Sequence, residues 1–324
     1  MIRRLFILII TAWIGLTRST AQDPQFSQFY SNPLYLAPSF AGAAGGNRIC
    51  ANVRDQWVAL PSTFMTYSFS YDYYYPKFNS GFGLLAYKDV AGTGDLGTLS
   101  LGVQYSYNFK ITQEVFARPG LHFSYREHGL AWDKLTFIDE VLHSPSTVLE
   151  PPPITKVRDV DLALSTLVYS KRIWAGITVD HILTPNVSLY SDKHEVPVKI
   201  AAFGGVEIVR RSHLLKPDEE TMTVAYLFKH QGPYNQLDLG VYWFKNPLVL
   251  GVWYRGIPPF NSQRGDALIL LVGYKTKNFN VGYSYDMTVS NLIGQAVGSH
   301  ELSMSVKFAI PRRDKKGEVP CPEF

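Results

Sequence analysis

Serine and histidine residues in the first half of the chain are the side chains that could carry hydrolytic chemistry. His122, Ser124, His128 and Ser165 are the residue types of a nucleophile and its base, as in barrel-shaped lipid hydrolases. Their spacing does not place them as a catalytic triad, and no Gly-x-Ser-x-Gly motif occurs. We therefore expect no catalytic residue. A membrane hydrolase remains one alternative, and it predicts activity on lipids.

The histidines also give no pattern for a metal site. The 8 histidines are scattered along the chain, and no two of them are spaced as a His-x-x-x-His pair. His181 lies near a predicted strand end, and we interpret it as an interfacial ring rather than a ligand. The sequence therefore predicts no bound metal and no cofactor.

An arginine in the run Arg54-Asp55-Gln56-Trp57 predicts a buried ion pair. On a strand, Arg54 and Gln56 share one face, while Asp55 and Trp57 share the other. An Arg54 that faces a protein interior needs an anionic partner, and Asp72 on the next predicted strand is the candidate. The pair would fix the interior. The alternative is that Arg54 contacts a plug or a client protein.

Strictly alternating segments must position these side chains. Leu99, Leu101, Val103, Tyr105, Tyr107 and Phe109 share one face, and small polar residues from Ser100 to Asn108 share the other. The segments 65–72, 278–286 and 302–308 repeat the pattern. A period of two over such lengths predicts β-strands with one apolar and one polar face. Residues 81–86 and 267–272 are apolar on both faces, which predicts that these strands contact something packed inside a barrel.

Two folds place such strands, a soluble sandwich and a transmembrane barrel. The residues of the polar face are small and uncharged, and the apolar face carries many Tyr and Phe. The segments also have the length that a strand needs to cross a bilayer. These features predict an all-β fold, a transmembrane antiparallel β-barrel of about 14 strands over residues 47–310. The longest predicted connections, 127–157, 185–196 and 289–299, fall on one side, as the loops of such barrels do. Only the turn 213–219 is long for the other side.

The N-terminus predicts export. Residues 1–21 combine a basic start, an apolar run and small residues at a cleavage site, which is the pattern of a signal peptide. Removing Arg3, Arg4 and Arg18 leaves 31 − 3 = 28 basic residues against 27 acidic ones, so the mature charge is about +1. This balance gives no support to nucleic-acid binding. Residues 311–324 form a predicted periplasmic tail.

The N-terminal segment, residues 22–46, is rich in aromatic residues and proline. Proline cannot donate to a strand ladder, so this segment is not expected to form another strand. We predict that it packs into the barrel mouth or lumen as a plug-like segment. Plain packing below the barrel and docking of a periplasmic partner are the alternatives. The candidate residues for plugging or partner binding are Phe26, Gln28, Phe29, Tyr30, Asn32, Pro33, Tyr35, Pro38 and Phe40.

The two cysteines lie near opposite ends of the chain. Cys50 begins the first predicted strand and Cys321 follows the last one. The first and last strands of a closed barrel are neighbours, and exported proteins fold in oxidising compartments. A disulfide between Cys50 and Cys321 at the barrel seam is therefore a candidate.

The first 75 residues of the mature chain contain several specific motifs. They are Gln25-Phe26-Ser27-Gln28, Asn32-Pro33-Leu34, Pro38, Gly42 and Arg54-Asp55-Gln56-Trp57. The resemblance is to the PorP/SprF family of outer-membrane proteins. It extends with less specific motifs from Asp23 to the C-terminus, and the departures at Ala37 and Val53 are slight.

The resemblance implies an outer-membrane barrel of the type IX secretion and gliding-motility apparatus. Its implied partners are a secreted adhesin with a type IX C-terminal sorting domain, periplasmic or peptidoglycan-associated machinery proteins, and outer-membrane lipid. The implied role is to bind, anchor or help display the adhesin and to couple it to periplasmic components. The alternative role is a solute porin or transporter, which predicts an open, charged lumen.

Overall fold

The fold was obtained as a computed structural model that describes residues 23–58, 64–135, 154–190, 192–213, 216–257, 267–289 and 298–308. The strands are β1 (Asn47–Gln56), β2 (Phe64–Tyr75), β3 (Ser80–Ala91), β4 (Leu96–Tyr107), β5 (Phe109–Lys110), β6 (Phe116–Gly129), β7 (Lys156–Tyr169), β8 (Ile173–Asp180), β9 (Lys199–His213), β10 (Lys216–Gln231), β11 (Tyr234–Lys245), β12 (Leu248–Ile257), β13 (Ala267–Lys275), β14 (Phe279–Thr288) and β15 (Ser299–Phe308).

The strands form one closed antiparallel barrel. Each strand pairs with its neighbours in sequence, and β1 pairs with β15 from Asn47↔Phe308 to Gln56↔Ser299. β4 and β5 both pair with β6 and together form one barrel strand that is interrupted at Asn108. The barrel therefore has 14 strands, which confirms the predicted fold class. No helix among the described residues is long and apolar enough to cross a membrane.

The two ends of the barrel differ in their connections. One end, the short-turn end, joins strands through 76–79, 111–115, 170–172, 214–215, 246–247 and 276–278. The other, the long-loop end, carries the longest connections, 130–155, 181–198 and 289–298. The predicted one-sided placement of long loops is therefore confirmed. The predicted long turn at 213–219 is wrong, because β10 begins at Lys216 and continues the ladder of β9.

Side chains alternate between the two faces of the wall as predicted. On β2, Tyr67 and Phe69 are 44% and 52% exposed on the outer face, whereas Ser68 and Ser70 are buried on the inner face. The outer face is therefore a continuous apolar surface, and it suits lipid because hydrocarbon makes no demand for hydrogen bonds. The inner face carries hydroxyls, amides and ion pairs.

The strands that are apolar on both faces contact the N-terminal segment. Gly83 of β3 faces inward, and a Cβ there would lie 2.7 Å from Cδ2 of Leu34. Ile269 and Leu271 of β13 are also buried and belong to one apolar cluster with Phe29 and Tyr30. These inner faces lack polar groups because they pack against apolar side chains instead of water.

The N-terminal segment forms three short helical turns before β1. They are a 3₁₀ turn at Phe29–Ser31, the α-helix α1 at Pro33–Leu36 and a 3₁₀ turn at Pro38–Phe40. Pro33 and Pro38 open the second and third turns, where a missing N–H costs nothing and the fixed φ favours a helical start. The prediction that this segment forms no additional strand is confirmed.

Candidate functional site

The N-terminal segment runs along the barrel interior from one end to the other. Asp23 accepts a hydrogen bond from Nζ of Lys199, the first residue of β9 at the long-loop end, at 2.8 Å. The Ala41 carbonyl accepts one from Oγ of Ser106, near the short-turn end of β4, at 2.7 Å. The segment therefore spans the interior lengthwise, and it joins β1 at the short-turn end.

Aromatic side chains of the segment pack against rings on the inner wall. The ring centroids lie 4.9 Å apart for Phe29 and Trp253, 4.5 Å apart for Tyr30 and Tyr242, and 5.5 Å apart for Phe40 and Phe203. The first two pairs meet edge to face, a geometry that stabilises contacts beyond simple burial by about 0.5–1.5 kcal/mol each. The rings thereby fix the segment against β9, β11 and β12.

The predicted residues of the segment are almost all buried. Tyr35 alone among them is half-buried, and its hydroxyl donates to the Pro24 carbonyl at 2.5 Å. Asn32 is fully buried, and its backbone carbonyl accepts from the N–H groups of Tyr35 and Leu36. The residues that are buried are Phe26, Gln28, Phe29, Tyr30, Asn32, Pro33, Pro38 and Phe40.

Gln28 is bound through every polar atom of its side chain. Its Nε2 donates to Oγ of Ser284 and to the Glu301 carbonyl, each at 3.1 Å, and its Oε1 accepts from Oγ of Ser303 at 2.6 Å. Gly282 faces the same amide, where a Cβ would lie 2.6 Å from the Gln28 Oε1. These hydrogen bonds and the close approach to Gly282 therefore fix where the segment lies along the barrel and how near it is to the wall.

Four buried charges surround Ser27 at the inner wall. Asp286 binds Arg54 at 2.8 Å and Arg255 at 3.0 Å, and Glu301 binds Arg54 at 3.3 Å. The Ser27 hydroxyl donates to Asp286 at 2.5 Å, and its N–H donates to Glu301 at 2.6 Å. Two positive and two negative groups balance, so this buried cluster avoids the large penalty of an unpaired charge.

The predicted Arg54–Asp72 pair is wrong in its partners. Both side chains are buried on the inner wall, but Asp72 binds Nε of Arg48 at 2.8 Å. The β1–β2 register explains this, because Asp72 lies opposite Arg48 whereas Arg54 lies opposite Thr66. Arg48 and Arg54 are six residues apart on β1, a distance of about 20 Å along the strand. Asp72 also accepts the N–H of Gly42, at 2.8 Å.

A second polar cluster holds the segment at the long-loop end. Asp23 contacts Nε2 of His181 at 2.6 Å as well as Lys199, and Nδ1 of His181 contacts Asp161 at 2.5 Å. Arg126 binds Asp161 at 3.3 Å. His181 is buried at the end of β8, so its interpretation as an interfacial ring is wrong.

Neighbouring charges determine the protonation states of Asp23 and His181. Burial raises the pKa of the Asp23 carboxyl, but the positive charges of His181 and Lys199 outweigh burial and hold that pKa well below its ordinary value. Burial lowers the pKa of His181, but the carboxylates of Asp23 and Asp161 outweigh it and raise that pKa. The Asp23–His181 contact is therefore an ion pair in mildly acidic solution.

Two of the serines and histidines considered for hydrolysis make structural hydrogen bonds, whereas Nε2 of His122 is buried without a hydrogen-bond partner among the described residues. Oγ of Ser165 accepts from the Ser39 N–H at 2.8 Å, and Nδ1 of His128 lies 2.8 Å from Oγ1 of Thr98. Ser124 is buried on the inner face of β6. These contacts support the segment and the wall.

The structure describes one of the two cysteines. Cys50 is buried on the inner face of β1, opposite Ser70 of β2 and Ser305 of β15. Cys321 lies outside the described residues, so the disulfide stays a prediction.

Several solved barrels resemble this fold at low sequence identity. The CymD monoaromatic hydrocarbon channel is 11% identical over 87% of this chain and 94% of that chain, with a TM-score of 0.49. The P. putida toluene transporter TodX is 9% identical over 85% and 93%, with a TM-score of 0.46. The KdgM porin is 8% identical over 81% and 99%, with a TM-score of 0.39. No curated protein matches the chain.

The family comparison covers most of the chain. The family model of the type IX secretion system membrane protein PorP/SprF matches residues 18–306, which include the N-terminal segment and nearly the whole barrel. The chain belongs to the PorP/SprF family of type IX secretion system membrane proteins, and it is a β-barrel of the outer membrane.

Proposed function

We propose that this barrel is a non-enzymatic part of the type IX apparatus that holds a secreted adhesin at the cell surface. The C-terminal sorting domain of the adhesin binds at the long-loop end, which faces outward in barrels of this kind. The short-turn end, in the periplasm, contacts machinery proteins and couples the adhesin to them. Residues 1–21 are removed on export, and residues 311–324 remain as a periplasmic tail.

The observation that carries the proposal is the burial of the N-terminal segment inside the barrel. Buried ion pairs and hydrogen bonds join it to the wall along its whole length, from Asp23 to Gly42. A barrel filled in this way suits a rigid holder better than a solute channel. We propose that the segment blocks passage of solutes, which separates this function from the porin alternative.

The test is affinity purification of the tagged barrel from native membranes after mild crosslinking. We expect an adhesin with a type IX sorting domain and periplasmic machinery proteins to copurify. A tagged outer-membrane barrel of another family, expressed at the same level, is the control. Recovery of neither class above that control would contradict the proposal.

A variant separates blocking from periplasmic docking. Deletion of residues 22–40 is expected to make the barrel leaky and to leave copurification of periplasmic proteins unchanged. If those proteins are lost while the barrel stays impermeable, the segment is a docking element instead.

A further inference from the structure

A cavity of about 580 Å³ lies between the N-terminal segment and the long-loop end of the barrel. Its floor includes Asp23 to Phe26, and its walls reach strand-terminal residues such as Gln56, Gln231 and Ser299. The volume lies within the usual range of ligand sites. The N-terminal segment therefore forms one side of the cavity, and the ends of the strands form the others.

Most charged side chains on the cavity wall are already paired at close range. Lys199 binds Asp23 at 2.8 Å and Asp180 at 3.1 Å. Arg54 and Arg255 bind Asp286 at 2.8 Å and 3.0 Å. These groups hold the wall and the segment together, so they are not available to an incoming ligand.

Lys229 is the exception among the cations. Its Nζ lies 4.0 Å from the nearest oxygen of Asp238, and that carboxylate also accepts two hydrogen bonds from Nε2 of Gln236, at 2.8 Å and 3.0 Å. The Lys229 side chain is only 19% exposed. Within the described parts of the chain this desolvated ammonium group has a single, distant counter-charge, so it gains from an additional anionic partner.

Asp89 is the exception among the acids. Its Oδ1 accepts from Oγ1 of Thr66 at 2.6 Å, and within the described residues it makes no ion pair. Asp89 lines the cavity from β3 and Lys229 lines it from β10. Around the barrel these strands are six positions apart one way and eight the other, so the two charges lie on nearly opposite walls.

The wall between these charges is rich in amides and rings. Amide side chains hydrogen-bond both the N–H and the C=O of a peptide backbone, and rings accept apolar side chains. Gln56, Trp57 and Tyr234 are groups of this kind on the cavity lining.

We propose that the cavity binds a peptide segment of the secreted partner, with a carboxylate at Lys229 and a basic or amide donor group at Asp89. The site rests on the function proposed above and names the surface that performs it. Charge complementarity selects the occupant: a peptide supplies both signs of charge and backbone amides along one flexible chain.

The experiment measures binding of labelled synthetic peptides that tile the sorting domain of an adhesin from the same cell. The purified full-length barrel is held in detergent micelles, and fluorescence anisotropy is recorded. We expect at least one acidic peptide to bind the wild type. K229Q is expected to weaken that binding about tenfold, since a hydrogen bond between charged groups contributes about that factor.

Two further variants complete the set. D89N is expected to weaken binding of peptides that carry a basic group, while its amide oxygen keeps the bond to Thr66. K245Q is the matched control, because Lys245 is exposed at the short-turn end of β11, and it should bind as the wild type does. Equal binding by K229Q, D89N and K245Q overturns the proposal.

A variant of the acidic peptide, with Glu replaced by Gln, tests the contact with Lys229 without altering the barrel. The proposal therefore stays falsifiable if a barrel variant fails to fold. Binding of the altered peptide to the wild type should fall about tenfold, and unchanged binding overturns the proposal. Binding of a neutral oligosaccharide with no binding of any peptide also overturns it.

If the adhesin copurifies equally with wild type and K229Q/D89N, the cavity site fails and the proposed function stands. If no adhesin copurifies but wild type binds a peptide and K229Q does not, the site stands and the holding function fails.

Discussion

Gly120 of β6 and Ser39 of the N-terminal segment approach each other so closely that no side chain fits between them. A Cβ on Gly120 would lie 2.3 Å from the Ser39 backbone nitrogen, and that same N–H donates to Oγ of Ser165 at 2.8 Å. The backbone of the segment is therefore in direct contact with the barrel wall. Any side chain at residue 120 must move the segment or the strand.

A larger residue at 120 should destabilise the barrel. G120V places three carbon atoms where the Ser39 backbone lies, and overpacking of this kind costs about 1–3 kcal/mol or more. L121F is the matched control, because Leu121 faces outward on the same strand and is 41% exposed. Thermal unfolding followed by circular dichroism in detergent should show a lower midpoint for G120V than for L121F. Equal midpoints would contradict the close contact.

The Arg48–Asp72 pair should contribute strongly to stability. Both side chains are nearly inaccessible, at 9% and 0% exposure, so R48Q leaves Asp72 buried without its cation. Removing one member of a buried pair costs about 3–5 kcal/mol. K156Q breaks the exposed pair with Glu127 and should cost less than about 1 kcal/mol. Urea unfolding of the barrel in lipid measures both variants, and similar losses would refute the assignment.

Glu301 should retain the N-terminal segment inside the barrel. Its carboxylate accepts the N–H groups of Ser27 at 2.6 Å and Gln28 at 3.0 Å, so E301A removes both acceptors. We expect chymotrypsin to cleave E301A faster within residues 26–40, with the sites located by mass spectrometry. E127A alters an acid on the outer face of β6 and serves as the control. Cleavage of E301A at the control rate would show that other contacts hold the segment.

His181 should titrate above its ordinary range. The carboxylates of Asp23 and Asp161 outweigh burial and raise its pKa, although Lys199 and Arg126 oppose them. The stability that the charged imidazole contributes is therefore complete below about pH 6.5 and is lost as the pH rises through the raised folded pKa. NMR of histidine-labelled protein, with H181Q to assign the signal, measures the midpoint. A midpoint at or below 6.5 would contradict this arrangement.

The strands and their faces could be predicted from the sequence, because the pattern that defines them is local. The alternation from Leu99 to Phe109 already separates an outer from an inner face, and β4 with β5 follows it. The partners of Arg54 could not be predicted in this way. Asp286 and Glu301 reach it only because closure of the barrel pairs β1 with β15, which brings together opposite ends of the chain.

The second polar cluster, which holds the segment at the long-loop end, could not be predicted for a related reason. Asp23 lies 158 residues from His181, and the two meet only because the segment runs the length of the interior. No hydrophobic periodicity or spacing of residues in the sequence predicts such a path. The burial of Gln28 and Asn32 likewise follows from the path and not from their polarity, which alone would favour the surface.

The central claim is that the N-terminal segment closes the interior of the barrel. Planar-bilayer conductance of the purified wild-type protein, compared with the variant that lacks residues 22–40, tests it most directly. The account predicts a silent wild type and steady open-channel conductance for the variant, with both folded by heat-modifiable gel migration. A wild type that conducts ions as well as the variant would contradict it.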